Sequence, residues 1–247
     1  MTKYIVLGLV QGITEFLPVS SSAHLVFFQK MLGVDVQGLV LALVLHLGTL
    51  AATVVFFRRR IIRFFTDRGN LFLVVVVTLL TGVIALPAKG LVESLFVSPR
   101  CAALALLVSG AVLIFTRKFS RGGRQGLSPS DGVVMGTAQA IAVIPGISRS
   151  GITIASLLFR GVDKAVAFEF SFLASLPVIA GAAILDGKDI LSACDQSGLA
   201  LLAGFIASFG SGLLALALLK RVIIRSGFHY FGYYCFFAAC AALIFLR

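Results

Sequence analysis

The chain has 247 residues, of which 59% are hydrophobic and 13% are charged, and its mean hydropathy is +1.07. A soluble domain is typically about 45–50% apolar and about 25% charged, so this composition excludes an ordinary soluble protein and indicates a membrane protein. The formal net charge of +11 comes from bases in short loops between apolar runs, which indicates contact with anionic lipid headgroups and no nucleic acid partner.

Eight apolar segments are predicted, most of them close to the roughly 20 residues that one helical crossing of a bilayer needs. They cover residues 4–28, 37–57, 70–92, 96–116, 131–159, 165–185, 197–219 and 228–246. The apolar runs are continuous and do not alternate every second residue, which favours helices over a β-barrel. The fold class is therefore predicted to be an all-α integral membrane protein.

The first segment carries polar groups in strongly apolar sequence. These groups are Gln11, Glu15, Ser20, Ser21, Ser22 and His24. Burying such groups in hydrocarbon costs several kcal/mol each unless they find partners or line a wet cavity, so they mark a candidate site. Pro18 is predicted to break the helix, and the serines that follow are suitable N-caps for a second half-helix.

The distribution of basic residues predicts the topology. Basic clusters, expected in the cytoplasm, occupy residues 58–69, 117–130, 160–164 and 220–225. The loops expected to face outward carry Lys30, Asp35, Lys89, Glu93, Arg100, Asp186, Lys188, Asp189 and Asp195. Segment 131–159 has basic loops on both sides, so it is predicted to enter from the cytoplasm and return at Pro145-Gly146. Segment 4–28 is predicted by analogy to be a re-entrant hairpin from the outside, and such a broken element must be buried in protein or line a cavity.

An internal repeat supports this topology. Gly8-Leu-Val-Gln11-Gly-Ile resembles Gly136-Thr-Ala-Gln139-Ala-Ile, and a proline and a serine cluster follow each. Residues 1–118 and 128–247 would each hold one broken hairpin and three crossings, and an odd number of crossings inverts the second half. The prediction is a single membrane domain with an inverted-topology repeat, six transmembrane helices plus two re-entrant broken helical hairpins.

The second break is followed by further polar residues, namely Ser148, Arg149, Ser150 and Thr153. Helix N-termini bind phosphate readily, and the planar guanidinium of Arg149 suits phosphate oxygens. Glu15 and Arg149 are the charges expected deep in the membrane, so the two breaks are predicted to be facing halves of one phosphate-handling site. A structural Glu15–Arg149 ion pair and serines that only cap helices are the alternatives.

The spacing of the polar residues suggests further roles. His24 lies three residues after Ser21, so the two would share a helix face and serve as base and nucleophile, or as two phosphate contacts. A structural, hydrogen-bonded His24 is the alternative. Gln11 and Glu15, at i and i+4, would hold a divalent cation, Mg²⁺ or Ca²⁺, or orient a water.

Other polar residues are expected to be structural. His46 stands alone in the middle of its segment and is interpreted as a satisfied helix-packing residue. Glu169, near a predicted cytoplasmic end, is expected to reach the interface or to pair with Lys164. Asp131 and His229, at segment ends, are interpreted as caps or interface groups.

At these motifs the chain resembles the undecaprenyl-pyrophosphate phosphatase family, the bacitracin-resistance type of integral membrane phosphatase. Residues 11–24 are similar to the family's (Glu/Gln)-x-x-x-Glu motif with its serine-rich stretch and histidine. Residues 145–153 match Pro-Gly-x-Ser-Arg-Ser-Gly-x-Thr at every fixed position, and residues 170–177 are similar to a further family stretch. Many members have glutamate where Gln11 stands, which leaves Glu15 as the one carboxylate of the motif.

The resemblance implies a multi-pass enzyme of the bacterial inner membrane that hydrolyses undecaprenyl diphosphate to undecaprenyl phosphate. That reaction recycles the lipid carrier for cell-wall synthesis and confers bacitracin resistance. The catalytic residues are expected to be Glu15, Ser21, His24 and Arg149. The phosphate-binding residues are expected to be Ser20, Ser22, Ser148, Arg149, Ser150 and Thr153. The partners are the polyprenyl diphosphate and membrane lipid, and a homodimer is left open.

A secondary transporter or flippase for a polyprenyl phosphate lipid is the rival interpretation. Inverted repeats with broken helices are common in transporters, and a phosphate cradle serves either activity. The serine and the histidine favour chemistry, because a protein that only binds phosphate needs no nucleophile.

Overall fold

A computed structural model describes residues 1–34, 38–88, 90, 95, 98–119, 123–185, 187–225 and 227–245, except for the side chains of residues 38, 39 and 187–197. This part of the chain forms ten α-helices and one short 3-10 helix, Thr116–Phe119. The α-helices are α1 (Thr2–Phe16), α2 (Ser21–Leu32), α3 (Gly38–Thr66), α4 (Arg68–Ala85), α5 (Pro99–Phe115), α6 (Pro129–Ile141), α7 (Arg149–Phe159), α8 (Lys164–Leu185), α9 (Gly187–Ile224) and α10 (Tyr230–Phe245).

Within the described ranges, five helical stretches are long and apolar enough to cross a membrane, which confirms the predicted all-α membrane protein. They are Val40–Thr66, Arg68–Ala85, Pro99–Phe119, Lys164–Leu185 and Gly198–Ile224. The sixth predicted crossing, 228–246, corresponds to α10. Its 16 residues are fewer than the roughly 20 that a perpendicular crossing needs, so a sixth crossing stays a prediction.

Three of the predicted loops are largely helical, so their boundaries were wrong. Helix α3 continues through the basic stretch 58–66. Helix α9 begins at Gly187, within the outward loop predicted before segment 197–219, and continues to Ile224 through the cluster that begins at Lys220. Hydropathy marks where a hydrocarbon layer would end, whereas a helix continues as long as its backbone hydrogen bonds do.

Both predicted helix breaks are confirmed. The first tip, residues 17–22, separates α1 from α2, and Ser20 within it has a φ of 63°, which is uncommon for a residue other than glycine. The second tip, residues 142–150, separates α6 from α7. Gly146 there has a φ of +102°, and an added Cβ would lie 2.1 Å from the Ala102 carbonyl oxygen. Only glycine fits this position.

The two broken hairpins pack against the protein in corresponding ways. Helix α1 lies along α9, and α6 lies along α4. Small residues allow this approach: a Cβ on Gly12 would lie 2.0 Å from Ser211 Oγ, and one on Gly136 would lie 3.1 Å from Val77 Cα. Residues 18–21 of the first tip and residues 145–148 of the second are buried.

Two acidic residues outside the tips are paired with arginines. Asp131 forms the capping box of α6 and ion pairs with Arg124 and Arg160, which confirms its interpretation as a cap. Glu169 forms an ion pair with Arg60 of α3, a partner that the sequence did not suggest. Several outward-loop residues lie outside the described part of the chain, namely Asp35, Lys89, Glu93, Asp186 and the side chains of Lys188, Asp189 and Asp195.

Candidate active site

A cavity of about 290 Å³ lies where the two tips meet. The tips and the adjoining end of α1 contribute most of its polar residues, which include Glu15, Ser20, Ser21, Ser22, Ser148 and Arg149. Helices α3 and α8 contribute an apolar wall that includes Leu43, Leu47, Val178 and Ile179. A mostly apolar cavity with a few convergent polar groups is the usual form of a ligand site.

Glu15 is the centre of this cluster. Its carboxylate oxygen Oε2 accepts hydrogen bonds from Ser21 Oγ at 2.6 Å and from Gln11 Nε2 at 2.9 Å. The other oxygen, Oε1, forms an ion pair with Arg149 of the second tip. The expectation that Glu15 and Arg149 face each other is therefore confirmed, and one buried carboxylate joins the two hairpins.

Ser21 is the first residue of α2, and its neighbours hold it in place. Ser20 is the N-cap, and its Oγ accepts a hydrogen bond from the Ala23 N–H at 3.4 Å. Ser22 Oγ accepts a hydrogen bond from the Gly146 N–H at 3.2 Å, which ties the first tip to the second. Because Ser21 donates its own hydroxyl proton to Glu15, the lone pairs of Oγ remain available for attack on an electrophile.

Arg149 begins α7, and its backbone is fixed by two serines. Ser148 Oγ caps the helix by accepting from the Gly151 N–H at 3.1 Å. Ser109 of α5, which the sequence did not single out, accepts from the Ser148 N–H at 2.9 Å and donates to the Gly146 carbonyl at 3.0 Å. Within the described chain, Arg149 Nη1 is buried and has no hydrogen-bond partner. In a side chain that lines the cavity, this donor is available to a ligand oxygen.

The expected contact between Ser21 and His24 is not formed. His24 Nδ1 lies 2.8 Å from the Ser20 carbonyl oxygen, and Nε2 lies 2.9 Å from the hydroxyl of Tyr234 on α10. The two rings are stacked, with centroids 5.7 Å apart. The carbonyl can only accept, so Nδ1 donates and Nε2 accepts from Tyr234. The ring therefore points from α2 towards α10, which the spacing within α2 could not reveal.

His46 was wrongly interpreted as a packing residue. It lines the cavity, and its Nε2 lies 3.3 Å from Glu15 Oε2. Its Nδ1 lies 2.7 Å from the Ala42 carbonyl oxygen one turn earlier in α3. The cluster therefore contains an imidazole, but from α3 and not from α2.

The remaining predicted site residues support the tips. Ser150 Oγ lies 3.4 Å from the Leu17 carbonyl oxygen, a further link between the tips. Thr153 Oγ1 lies 2.7 Å from the Arg149 carbonyl oxygen and 2.7 Å from Ser171 Oγ, on the side of α8. Neither Ser150 nor Thr153 is among the residues that line the cavity.

The donor set for a cation is small. Among the described residues there is no group of three or more His, Cys, Asp or Glu side chains that could hold a metal. Gln11 Oε1, however, is buried and has no hydrogen-bond partner among the described residues. The nitrogen of the same amide donates to Glu15. One carboxylate and one amide oxygen suit a hard cation that takes its remaining ligands from a phosphate substrate.

Comparison with known proteins places these residues in a family context. A family profile described as bacitracin resistance protein BacA matches residues 4–241. The undecaprenyl-diphosphatase of Methanobrevibacter smithii is 39% identical over 256 residues, which cover 94% of this chain and 92% of that protein. The undecaprenyl-diphosphatase of Alkaliphilus metalliredigens is 38% identical over 268 residues, covering 98% of each chain. Undecaprenyl-diphosphatase 1 of Shouchella clausii is 36% identical and covers 99% and 96%, respectively.

Proposed function

The chain belongs to the BacA family of bacitracin resistance proteins, and on that premise we propose that it is an undecaprenyl-diphosphatase. It removes the terminal phosphate of undecaprenyl diphosphate, and the undecaprenyl phosphate returns to cell-wall synthesis. The chain is a multi-pass protein of the bacterial inner membrane. The observation that carries the proposal is the contact of Ser21 and Arg149 with the same buried carboxylate, Glu15, inside one cavity.

The nucleophile in this mechanism is Ser21. Its Oγ attacks the terminal phosphorus while its proton passes to Glu15 Oε2, which lies 2.6 Å away. The bond from that phosphorus to the bridging oxygen breaks, and undecaprenyl phosphate leaves with the electron pair and takes the proton from Glu15. Water then attacks the phosphoserine and its proton passes to the Glu15 carboxylate. The Ser21 oxygen leaves with the electron pair of its bond to phosphorus and takes that proton, so inorganic phosphate is released and Ser21 is restored. Direct attack by a water held by Glu15 is the alternative route.

Charge stabilisation comes from Arg149 and from the N-termini of α2 and α7. The N-terminal residues Ser21 and Arg149 both line the cavity, so the positive ends of both helix dipoles are directed at one place. The guanidinium suits the equatorial oxygens of a phosphoryl group in transfer. Such preorganised charge supplies most of the catalysis in phosphoryl transfer, so few protein groups suffice. The isoprenyl tail would lie against the apolar wall from α3 and α8.

A divalent cation, Mg²⁺ or Ca²⁺, is proposed as the cofactor. Glu15 and Gln11 would hold it together with phosphate oxygens of the substrate, since Mg²⁺ sites commonly combine one or two carboxylates with substrate phosphates. When bound, the cation would neutralise part of the diphosphate charge.

We also propose the finer topology. Six transmembrane helices and two re-entrant hairpins would form an inverted repeat of residues 1–118 and 128–247. The corresponding packing of α1 on α9 and of α6 on α4 supports this arrangement. In each half a broken hairpin also precedes three apolar helices. Inverted repeats of this kind bring broken elements together near the bilayer midplane.

The proposal is tested by phosphate release from undecaprenyl diphosphate with purified protein in detergent. Wild-type protein should release inorganic phosphate, and Ser21→Ala should remove nearly all of that activity. The control is Ser130→Ala, which changes an exposed serine at the start of α6 and should keep the wild-type rate. Transfer of undecaprenyl phosphate across liposomes without phosphate release would favour the transporter instead.

A further inference from the structure

His46 has a defined contact with the reacting groups that the mechanism above does not use. We infer that it is a positioning residue, which holds the Glu15 carboxylate so that Oε2 faces the Ser21 hydroxyl. This inference rests on the proposed function, in which Glu15 takes the proton of Ser21. It assigns to α3 a part in a site that the two sequence motifs place on the hairpins alone.

The two carboxylate oxygens of Glu15 contact different residues. Among the described residues, Oε1 is held by Arg149 alone, whereas Oε2 has three neighbours. Ser21 and Gln11 donate to Oε2 from the first hairpin, and His46 Nε2 approaches it at 3.3 Å from α3. His46 therefore contacts the same oxygen that must receive the proton of the nucleophile.

The imidazole has one orientation in this arrangement. Nδ1 lies 2.7 Å from the Ala42 carbonyl oxygen and Nε2 lies 3.3 Å from Glu15 Oε2. Because a carbonyl oxygen and a carboxylate oxygen can only accept, the imidazole holds Glu15 in the form in which both ring nitrogens carry a proton and donate. The backbone of α3 is fixed on its other side. Ser208 of α9 donates to the Leu45 carbonyl at 2.8 Å. An added Cβ on Gly48 would lie 2.7 Å from the Phe205 carbonyl oxygen, so α3 and α9 are in close contact.

The contact matters because Arg149 competes for the same carboxylate. The terminal torsion of a glutamate side chain is soft, and an arginine favours a two-fold contact with both oxygens. Without an anchor from α3, Glu15 can turn its Oε2 towards the guanidinium and away from Ser21. His46 opposes this rotation. Its side chain is 29% exposed, so it fills little of the core and its removal should affect the reaction more than the fold.

The test compares three substitutions of His46 in the full-length protein, with phosphate release from undecaprenyl diphosphate and thermal unfolding measured in parallel. Glutamine places an N–H close to the position of Nε2, asparagine places one close to Nδ1, and alanine provides neither. We expect His46→Ala and His46→Asn to lower kcat roughly ten- to hundredfold with KM little changed, the size of effect that a small misplacement of reacting groups produces. His46→Gln should recover most of the lost kcat.

Different results would reject the positioning role of His46 and the proposed phosphatase activity. His229→Ala is the matched control, since His229 lies at the start of α10 away from the cavity and should keep the wild-type rate. A wild-type kcat in His46→Ala, or a loss in His46→Gln equal to that in His46→Ala, would overturn the inference. A fall in kcat that only follows a fall in Tm would also overturn it. If His46→Ala does not fold, the comparison of the glutamine and asparagine variants decides. An inactive wild-type protein would instead reject the proposed function.

Discussion

The ion pair between Glu15 and Arg149 could serve catalysis or only stabilise the fold, and substitutions of the two residues distinguish these roles. Replacing Arg149 by methionine removes the guanidinium and keeps most of the side-chain length. The Glu15 side chain, 6% exposed in a pair whose arginine is 17% exposed, then keeps its charge without its cationic partner. Breaking a buried pair in this way costs about 3–5 kcal/mol. Because Ser21 and Gln11 still donate to Glu15, we expect the lower end, about 3 kcal/mol.

The double variant Glu15→Gln/Arg149→Met provides the decisive comparison. Exchanging a whole buried ion pair for neutral groups of similar size is often neutral or stabilising. The free energy of unfolding should therefore return to within about 1 kcal/mol of the wild-type value. Phosphate release should stay at background in both variants, since the guanidinium that binds phosphate is missing from each and the double variant has also lost the base.

The measurements are equilibrium unfolding in mixed detergent micelles and phosphate release from undecaprenyl diphosphate. A loss of about 3 kcal/mol corresponds to roughly a 150-fold smaller folding equilibrium constant, which such unfolding curves resolve. A double variant that regains both stability and turnover would show that the pair is only a brace. Unchanged stability in Arg149→Met would refute the burial argument.

Three further predictions concern packing, the His24 contact and the cation. Gly12→Ala should destabilise the protein strongly, because its Cβ would lie 2.0 Å from Ser211 Oγ. The control Gly82→Ala in α4, whose added Cβ meets nothing within 4 Å, should be neutral or slightly stabilising. Equal Tm values for the two variants would contradict the close packing of α1 on α9. Tyr234→Phe removes the hydrogen-bond donor to His24 Nε2 and should lower the free energy of unfolding by about 1 kcal/mol. The Tm should then fall by about 2–4 °C, and most of the turnover should be kept. An inactive but stable variant would show that His24 takes part in the chemistry. Chelation of divalent cations should lower phosphate release and added Mg²⁺ should restore it, whereas an unchanged rate in excess chelator would remove the cation from the proposal.

Much of the fold could be predicted because it follows from local sequence. Long apolar runs predicted the five membrane-spanning stretches, since hydrocarbon thickness sets the length of a helical crossing. Pro18 and Pro145 predicted the two breaks because proline removes a helix hydrogen bond. The Glu15–Arg149 contact was predictable for a different reason: two opposite charges isolated in apolar sequence must find each other or a ligand.

The contacts that were missed join residues far apart in the chain. His46 meets Glu15, Tyr234 meets His24 and Ser109 meets Ser148. Each of the three missed residues lies in a mostly apolar helix, and no local sequence pattern reveals its partner. Their roles depend on how α3, α5 and α10 pack against the tips. The orientation of His24 was missed for the same reason, because spacing within α2 defines a helix face but not the neighbour that the face meets.

In the proposed mechanism the two tips together bind the diphosphate headgroup. The most direct measurement is an experimental structure of the protein with an isoprenyl methylene-diphosphonate, in which carbon replaces the bridging oxygen and blocks hydrolysis. We predict that its distal phosphonate lies within hydrogen-bonding distance of both Ser21 Oγ and the Arg149 guanidinium. A headgroup bound instead in the cavity of about 430 Å³ lined by Arg58, Arg59 and Lys220, with the cavity at the tips empty, would contradict the account.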